Sequence, residues 1–341
     1  MDARGKNNPI PDTSWYDDSA LSFNLDTADQ LAGLAQLVIN GNDFAGKTIN
    51  LTSDISLAAY RNGYGWTPIS LGDAEGNLTP FEGTFDGKGH IISGLTINAP
   101  NASYNYGLFG SVDGGTVKNL GLINVNINVG QTGNRSTGGI MGFLGLSGTV
   151  ENCFVTGTIS GNNNVGGLVG WNHGNVKNCY FIGSVSGRDY VGGLVGVNNR
   201  TATEVSNCYA AGWGVRGRNF VGGLAGGTPY VSDSARILGS VALNQRIQRT
   251  SGASNNFGRV LGQTTGILNN NHGRADMVLP SGITIVSSKD GADVTNAGVR
   301  TWWETSGPGG PGWTVPDNKG AATESSPWWW GGSRPRLWFE R

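Results

Sequence analysis

Charge is scarce in this chain. Asp, Glu, Lys and Arg make up 14% of 341 residues, and the formal net charge is -1. A nucleic acid or an anionic membrane surface would find no bulk electrostatic footprint here. Cysteine is rarer, with only Cys153, Cys179 and Cys208, and histidine is limited to His90, His173 and His272. No His stands at zinc-ligand spacing from a pair of Cys, so neither a metal nor a cofactor is expected. No apolar run approaches the ~18 residues of a membrane span. The opening MDARGKNNPIPDTSWYDDSA lacks the charged-then-apolar order of a secretory signal. The chain is therefore either one that stays inside the cell or a mature form with an added Met whose signal peptide has been removed. His-Glu-x-x-His, Gly-x-Ser-x-Gly, the P-loop and the calcium-binding nonapeptide are all missing, which leaves their chemistries without a motif.

Glycine, by contrast, accounts for 58 residues, more than twice the usual ~7%. Its placement is periodic. Six segments align on Gly107-Leu108-Phe109-Gly110, Gly138-Gly139-Ile140-Met141-Gly142, Gly166-Gly167-Leu168-Val169-Gly170, Gly192-Gly193-Leu194-Val195-Gly196, Gly222-Gly223-Leu224-Ala225-Gly226 and a degenerate Gly258-Arg259-Val260-Leu261-Gly262. Successive closing glycines lie 32, 28, 26, 30 and 36 residues apart. Such a period marks a solenoid, propeller or array. No repeat holds an amphipathic helix of useful length, and most are too short for a propeller blade. One coil of a single-stranded parallel β-helix fits: three short strands and three bends, stacked ~4.8 Å from the next coil. Parallel crossovers make the expected hand right-handed. At the bends Gly139, Gly167, Gly193 and Gly223 offer positive φ or close backbone approach.

Stacking predicts columns. Val117, Val150, Val176 and Val205 share one inward position, and Asn119, Asn152, Asn178 and Asn207 stand two residues on. An Asn at a bend can hydrogen-bond to its equivalents above and below, forming an amide ladder. Next come Leu120, Cys153, Cys179 and Cys208, read as small buried apolar residues with free thiols. Lys118, Glu151 and Lys177 point outward with alternating sign. Phe154, Tyr180 and Tyr209 form a further column. With Trp213, and with Trp171 as an outlying member, they are the candidate ligand-binding residues: pointing outward, they would make an aromatic stripe suited to glycans or proteins.

The ends need covers, because open strand edges recruit other chains. Thr27 and Gln30 form a capping box ahead of a helical apolar stripe that Gly41 stops. The division expected is an extension over 1–26, a capping helix over 27–41, a parallel β-helix over 42–285 with repeats at about 104–262, and a Trp-rich cap over 286–341. The region after residue 300 holds seven of the eleven Trp.

The Gly-Leu-x-Gly tetrads at Gly107–Gly110, Gly167–Gly170, Gly193–Gly196 and Gly223–Gly226 resemble the GLUG motif of bacterial surface proteins. The leading segments Asp26–Leu34 and Phe81–Gly87 resemble the region that precedes GLUG arrays. The resemblance spans roughly residues 26–230, and Arg259 departs from it. It implies an adhesin-like protein of the cell surface or extracellular space, of the kind also found in non-catalytic parts of immunoglobulin A proteases. It brings no catalytic residues.

The leading expectation is therefore a non-enzymatic, monomeric β-solenoid that binds a host or cell-surface glycan or protein, or serves as a stalk. The rival is a polysaccharide lyase or glycoside hydrolase, which would need converging carboxylates. The outward acids Glu151, Asp189, Glu204 and Asp233 fall in different columns.

Overall fold

The computed structural model describes residues 8–71, 79–100, 103–133, 135–200, 203–229, 236–252, 255–263 and 266–340. Four parallel sheets build a β-solenoid, and the two largest run its length. The four have nine, eleven, five and four strands. In the central coils the chain visits them in a fixed order. One coil runs through Val169–Asn172 of the five-stranded sheet, Asn175–Lys177 of the nine-stranded, Tyr180–Ser186 of the eleven-stranded and Asp189–Gly192 of the four-stranded. The coil thus has four strands where the spacing predicted three. The fourth is the short segment leading into each Gly-Gly pair.

Register carries the hydrophobic core from coil to coil. In the nine-stranded sheet Phe23, Ile49, Phe85, Val117, Val150, Val176, Val205, Ile237 and Leu268 follow one another as direct partners. A one-residue slip would turn this column outward, so the alternation of polar and apolar residues fixes the pairing. Leu120, Cys153, Cys179 and Cys208 are buried beside it.

The first rung is Ser22–Leu25, which pairs with Thr48–Leu51. The solenoid therefore starts some twenty residues before the expected boundary at 42, because Phe23 and Leu25 alternate inward like any later rung. The helix Ala28–Ile39 lies between these two rungs in sequence. Its capping box is formed by Thr27 and Gln30, and Leu31, Leu34, Ala35 and Val38 enter the main core. Strand pairing also continues past 285, to Ala292–Val294. Met277 joins the core there, with Leu279 and Ile283 packed against it.

The bends divide their conformational work in an unexpected way. Gly167 and Gly193 do not lie in the left-handed region; their φ values are not positive. What they supply is room. A Cβ on Gly167 would sit 2.3 Å from the Gly193 carbonyl oxygen and 2.4 Å from the Phe181 ring. The positive φ falls two residues ahead of the pair, on Asn164, Tyr190 and Phe220 at 53–55°.

Candidate functional site

The outer face of the eleven-stranded sheet has two halves. Glycines at 157, 183 and 212 fall between them. In the upstream half the outward columns are apolar: Phe154, Tyr180 and Tyr209 in register, flanked by Ile182, Ala211 and Leu243. The three rings stack face to face, with centroids 5.0 and 4.7 Å apart and planes within 6°.

They do not form an open stripe. All three are buried, because the Trp-rich C-terminal segment lies over them. Trp313 and Trp328 stack at 4.7 Å above Tyr209, with Trp303 at its edge. Phe339 stacks on Phe154. The segment also departs from the end-cap expectation. Its contacts run back along the flank, from Gly307 at His272 through Trp313 at Gly239 to Phe339 at Gly89. An outward aromatic column on a parallel sheet needs a cover, and the chain's own tail supplies it.

Polar anchors fix this strap. Glu324 accepts from Lys118 at 2.7 Å and from Asn119 at 2.9 Å. Those bonds hold its carboxyl below the usual range. Asp86 binds the same two side chains. Burial pushes Asp86 up, but the Lys88 and Asn119 hydrogen bonds and the Lys118 charge outweigh it and keep it low. Two carboxylates do converge here, yet neither is raised toward the range a general acid needs. Asn152 donates to Asn119 at 3.2 Å and Asn178 to Asn152 at 3.3 Å, so the bend amides form a ladder that starts on Asp86. Asn207 keeps the same φ of 52° but stands exposed.

The downstream half is polar and open. Thr158 and Ser184 form one outward row; Ser160, Ser186, Arg216 and Gln248 form the next. Trp213 stands at their edge. Ile182 pairs with Ala211 and Ser184 with Gly214, so Gly212 and Trp213 together oppose Gly183. This is a β-bulge, a device that re-aims a side chain. It leaves Trp213 71% exposed, the most exposed aromatic ring of the described residues. A hollow of about 330 Å³ lies beside it, lined by Ser184, Ser186, Arg216, Arg246 and Gln248. A second hollow of about 510 Å³ adjoins through Ser186 and Arg216 and is lined by Gln131, Arg188, Arg218 and Thr250. The sequence points to Trp213 as a candidate beside the aromatic column but to none of these arginines; Arg188 and Arg218 lie in the turns after the strands, and Arg216 follows two serines in its row. The signal was present in the near-match of Ser186-Gly187-Arg188 with Arg216-Gly217-Arg218.

Trp171 does not join this shelf. It lies in the five-stranded sheet, paired with Phe143 and Val197, and donates to His173 at 2.6 Å. Glu151 and Glu204 occupy different columns of the nine-stranded sheet, and Asp189 pairs with Arg218. Asp233 lies outside the described residues. Among the described residues no cluster of His, Cys, Asp and Glu could hold a metal ion, and no helix is long and apolar enough to cross a membrane.

Comparison with known proteins bears on the coil and the fold. The family profile of the GLUG motif matches residues 161–186, one full coil. Halomucin of Haloquadratum walsbyi is 36% identical over 148 residues, which is 42% of this chain but 2% of halomucin. A proposed Gly-rich membrane protein of Evansella cellulosilytica is 42% identical over 80 residues, 23% of this chain and 9% of that protein. The match thus spans a small part of each relative. A solved structure from Bacteroides ovatus, described as a proposed immunoglobulin A1 protease, superposes with a TM-score of 0.60 over 82% of both chains at 21% identity, a likeness of fold. The repeated tetrads, the stacked coils and these matches lead to one statement: the chain is a GLUG-repeat β-helix protein.

Proposed function

We propose that this protein is a non-enzymatic surface or secreted β-solenoid that binds a glycan on the open half of its eleven-stranded sheet. The observation that carries the reading is Trp213, raised on a β-bulge beside a trough of Ser, Gln and Arg. An exposed indole gives a flat apolar face for a sugar ring, and neutral hydroxyl and amide groups match sugar hydroxyls. The names halomucin and Gly-rich membrane protein support a life at the cell surface. In this reading the solenoid winds right-handed, the helix Ala28–Ile39 closes its first coil, residues 277–294 close its last, and the protein acts as a monomer. The Trp-rich strap stiffens the shaft and takes no part in binding.

A glycan array probed with the wild type and with Trp213→Ala tests this. Binding that Trp213→Ala abolishes, with thermal stability unchanged, is the expected result. Glycan binding that survives Trp213→Ala would move the site elsewhere, and no binding at all would leave a passive stalk.

A further inference from the structure

We infer that the ligand of the Trp213 shelf is a polysaccharide bearing carboxylates, a polyuronate, laid along the solenoid axis. This deepens the glycan reading above and rests on it. Four guanidinium groups surround the two hollows: Arg188, Arg216, Arg218 and Arg246. Their only acidic partner among the described residues is Asp189. Arg218 grips it through two bonds of 3.1 and 2.6 Å, and Arg188 approaches it at 3.5 Å. Arg216 and Arg246 are exposed and form no ion pair among the described residues. Hence two guanidiniums are held in place by one carboxylate, while two more face the trough with their forks open. In a chain of net charge -1 this local excess is notable.

The spacing suits a polymer. Arg216 pairs with Gln248, and Gly214 stands beside Arg246 on the next coil. Adjacent coils are ~4.8 Å apart, close to the length of one sugar residue. Gly214 helps to set Arg246: a Cβ there would lie 2.7 Å from the Arg246 Cγ. A planar guanidinium matches a planar carboxylate through two parallel hydrogen bonds. Nucleic acid fits less well. It would want several exposed aromatic platforms and a longer basic track, whereas one indole and a rim of Ser184, Ser186, Gln131, Gln248 and Thr250 are offered.

The test is calorimetric titration of the full chain with oligogalacturonate, with the same oligomer fully methyl-esterified, with a sulfated dextran and with single-stranded DNA. Wild type should bind oligogalacturonate and lose at least about tenfold in affinity for the ester, the size expected for losing a charge-assisted pair. Arg216→Gln and Arg246→Gln should each weaken acid binding by about tenfold and narrow the gap between acid and ester affinity. Equal binding of acid and ester, with Trp213→Ala abolishing both, would overturn the polyuronate inference and leave the glycan reading intact. Equal or tighter binding of sulfated dextran or DNA would overturn it in favour of a nonselective basic patch. Binding of none of the four would overturn the inference, and a blank neutral-glycan array would then remove the broader reading too.

Discussion

Tyr180 donates a hydrogen bond of 2.6 Å to Glu340, a residue 160 positions later. Both groups are buried, and the Arg334 guanidinium lies 4.9 Å from the Tyr180 ring centre. A contact of such sequence separation is uncommon in a solenoid, where each coil normally touches only its neighbours. The strap changes that rule. It ties the coil of Gly89 to the coil of His272 through one continuous segment, so coils that would unravel one by one share a common cover.

Glu340 makes the strap sensitive to pH. Burial raises its carboxyl above the ordinary 4.5, and the Tyr180 hydrogen bond and Arg334 charge only partly offset this. The folded chain therefore keeps the proton to higher pH than the unfolded chain does. Its contribution is complete below 4.5 and is lost as pH rises through the raised native value. Glu340→Gln stays neutral at every pH. The difference in urea midpoint between wild type and Glu340→Gln, followed by Trp fluorescence from acid to neutral pH, should drift against the wild type as pH rises. A constant difference would mean that Glu340 carries no raised pKa.

The cysteine column makes a second prediction. Each thiol is free and buried, but none is merely a small apolar filler. The backbone N–H of Cys153 donates to the Cys179 Sγ at 3.4 Å, and that of Cys179 to the Cys208 Sγ at 3.4 Å. Ser240 Oγ and Asn271 Oδ1 continue the series for Cys208 and Ser240. The side chain thus satisfies an amide left over by the Asn bend. Cys179→Ser keeps an acceptor and should stay within about 1 kcal/mol of wild type. Cys179→Val strands a buried N–H and should cost about 1–3 kcal/mol. Chemical denaturation of both variants checks this; equal costs would show that volume alone matters. Burial and neighbouring thiols also push Cys179 upward, so the native protein should resist thiol reagents until unfolded.

Much of the solenoid could be read from residues whose role repeats. Val150 and Val176 sit one above the other because an inward position recurs at each coil, and a repeated requirement leaves a repeated letter. The bend amides were legible for the same reason. The strap was not. Tyr180 looked like a candidate for solvent because its own coil offers no cover, and the cover arrives from Trp328 and Glu340, more than 140 residues on. No local pattern encodes such a meeting. Tyr190 escaped notice too, since a positive φ of 55° on a bulky residue runs against propensity. It is held by stacking on Phe220, with ring centres 4.5 Å apart.

Asn152 joins two duties that substitutions can separate. Its φ of 52° suits Asn or Gly, and its amide donates to Asn119 and to the Glu324 carbonyl at 3.2 and 3.0 Å. Asn152→Gly keeps the bend and loses the ladder, a cost of about 1–2 kcal/mol. Asn152→Ala loses both and should cost about 1–2 kcal/mol more. Thermal denaturation of the pair gives the two terms. Equal losses for both variants would show that the bend imposes no φ requirement.

Gly193 offers the sharpest test of why the motif demands glycine. If positive φ were the reason, alanine would be strained but would fit. Its φ is not in the left-handed region, yet a Cβ would lie 2.1 Å from the Gly223 carbonyl oxygen and 2.9 Å from the Ala210 Cβ. Backbone on one side and core on the other leave no direction for relief. Gly193→Ala should therefore cost about 3 kcal/mol or more, at the upper end of overpacking, and lower expression of folded protein. Gly298→Ala, where nothing lies within 4 Å, is the matched control and should be neutral or slightly stabilising, because it narrows the unfolded ensemble. Similar melting temperatures for the two variants would mean that adjacent coils can separate to admit a methyl group, and the close stacking of Gly-Gly bends would no longer explain the repeat.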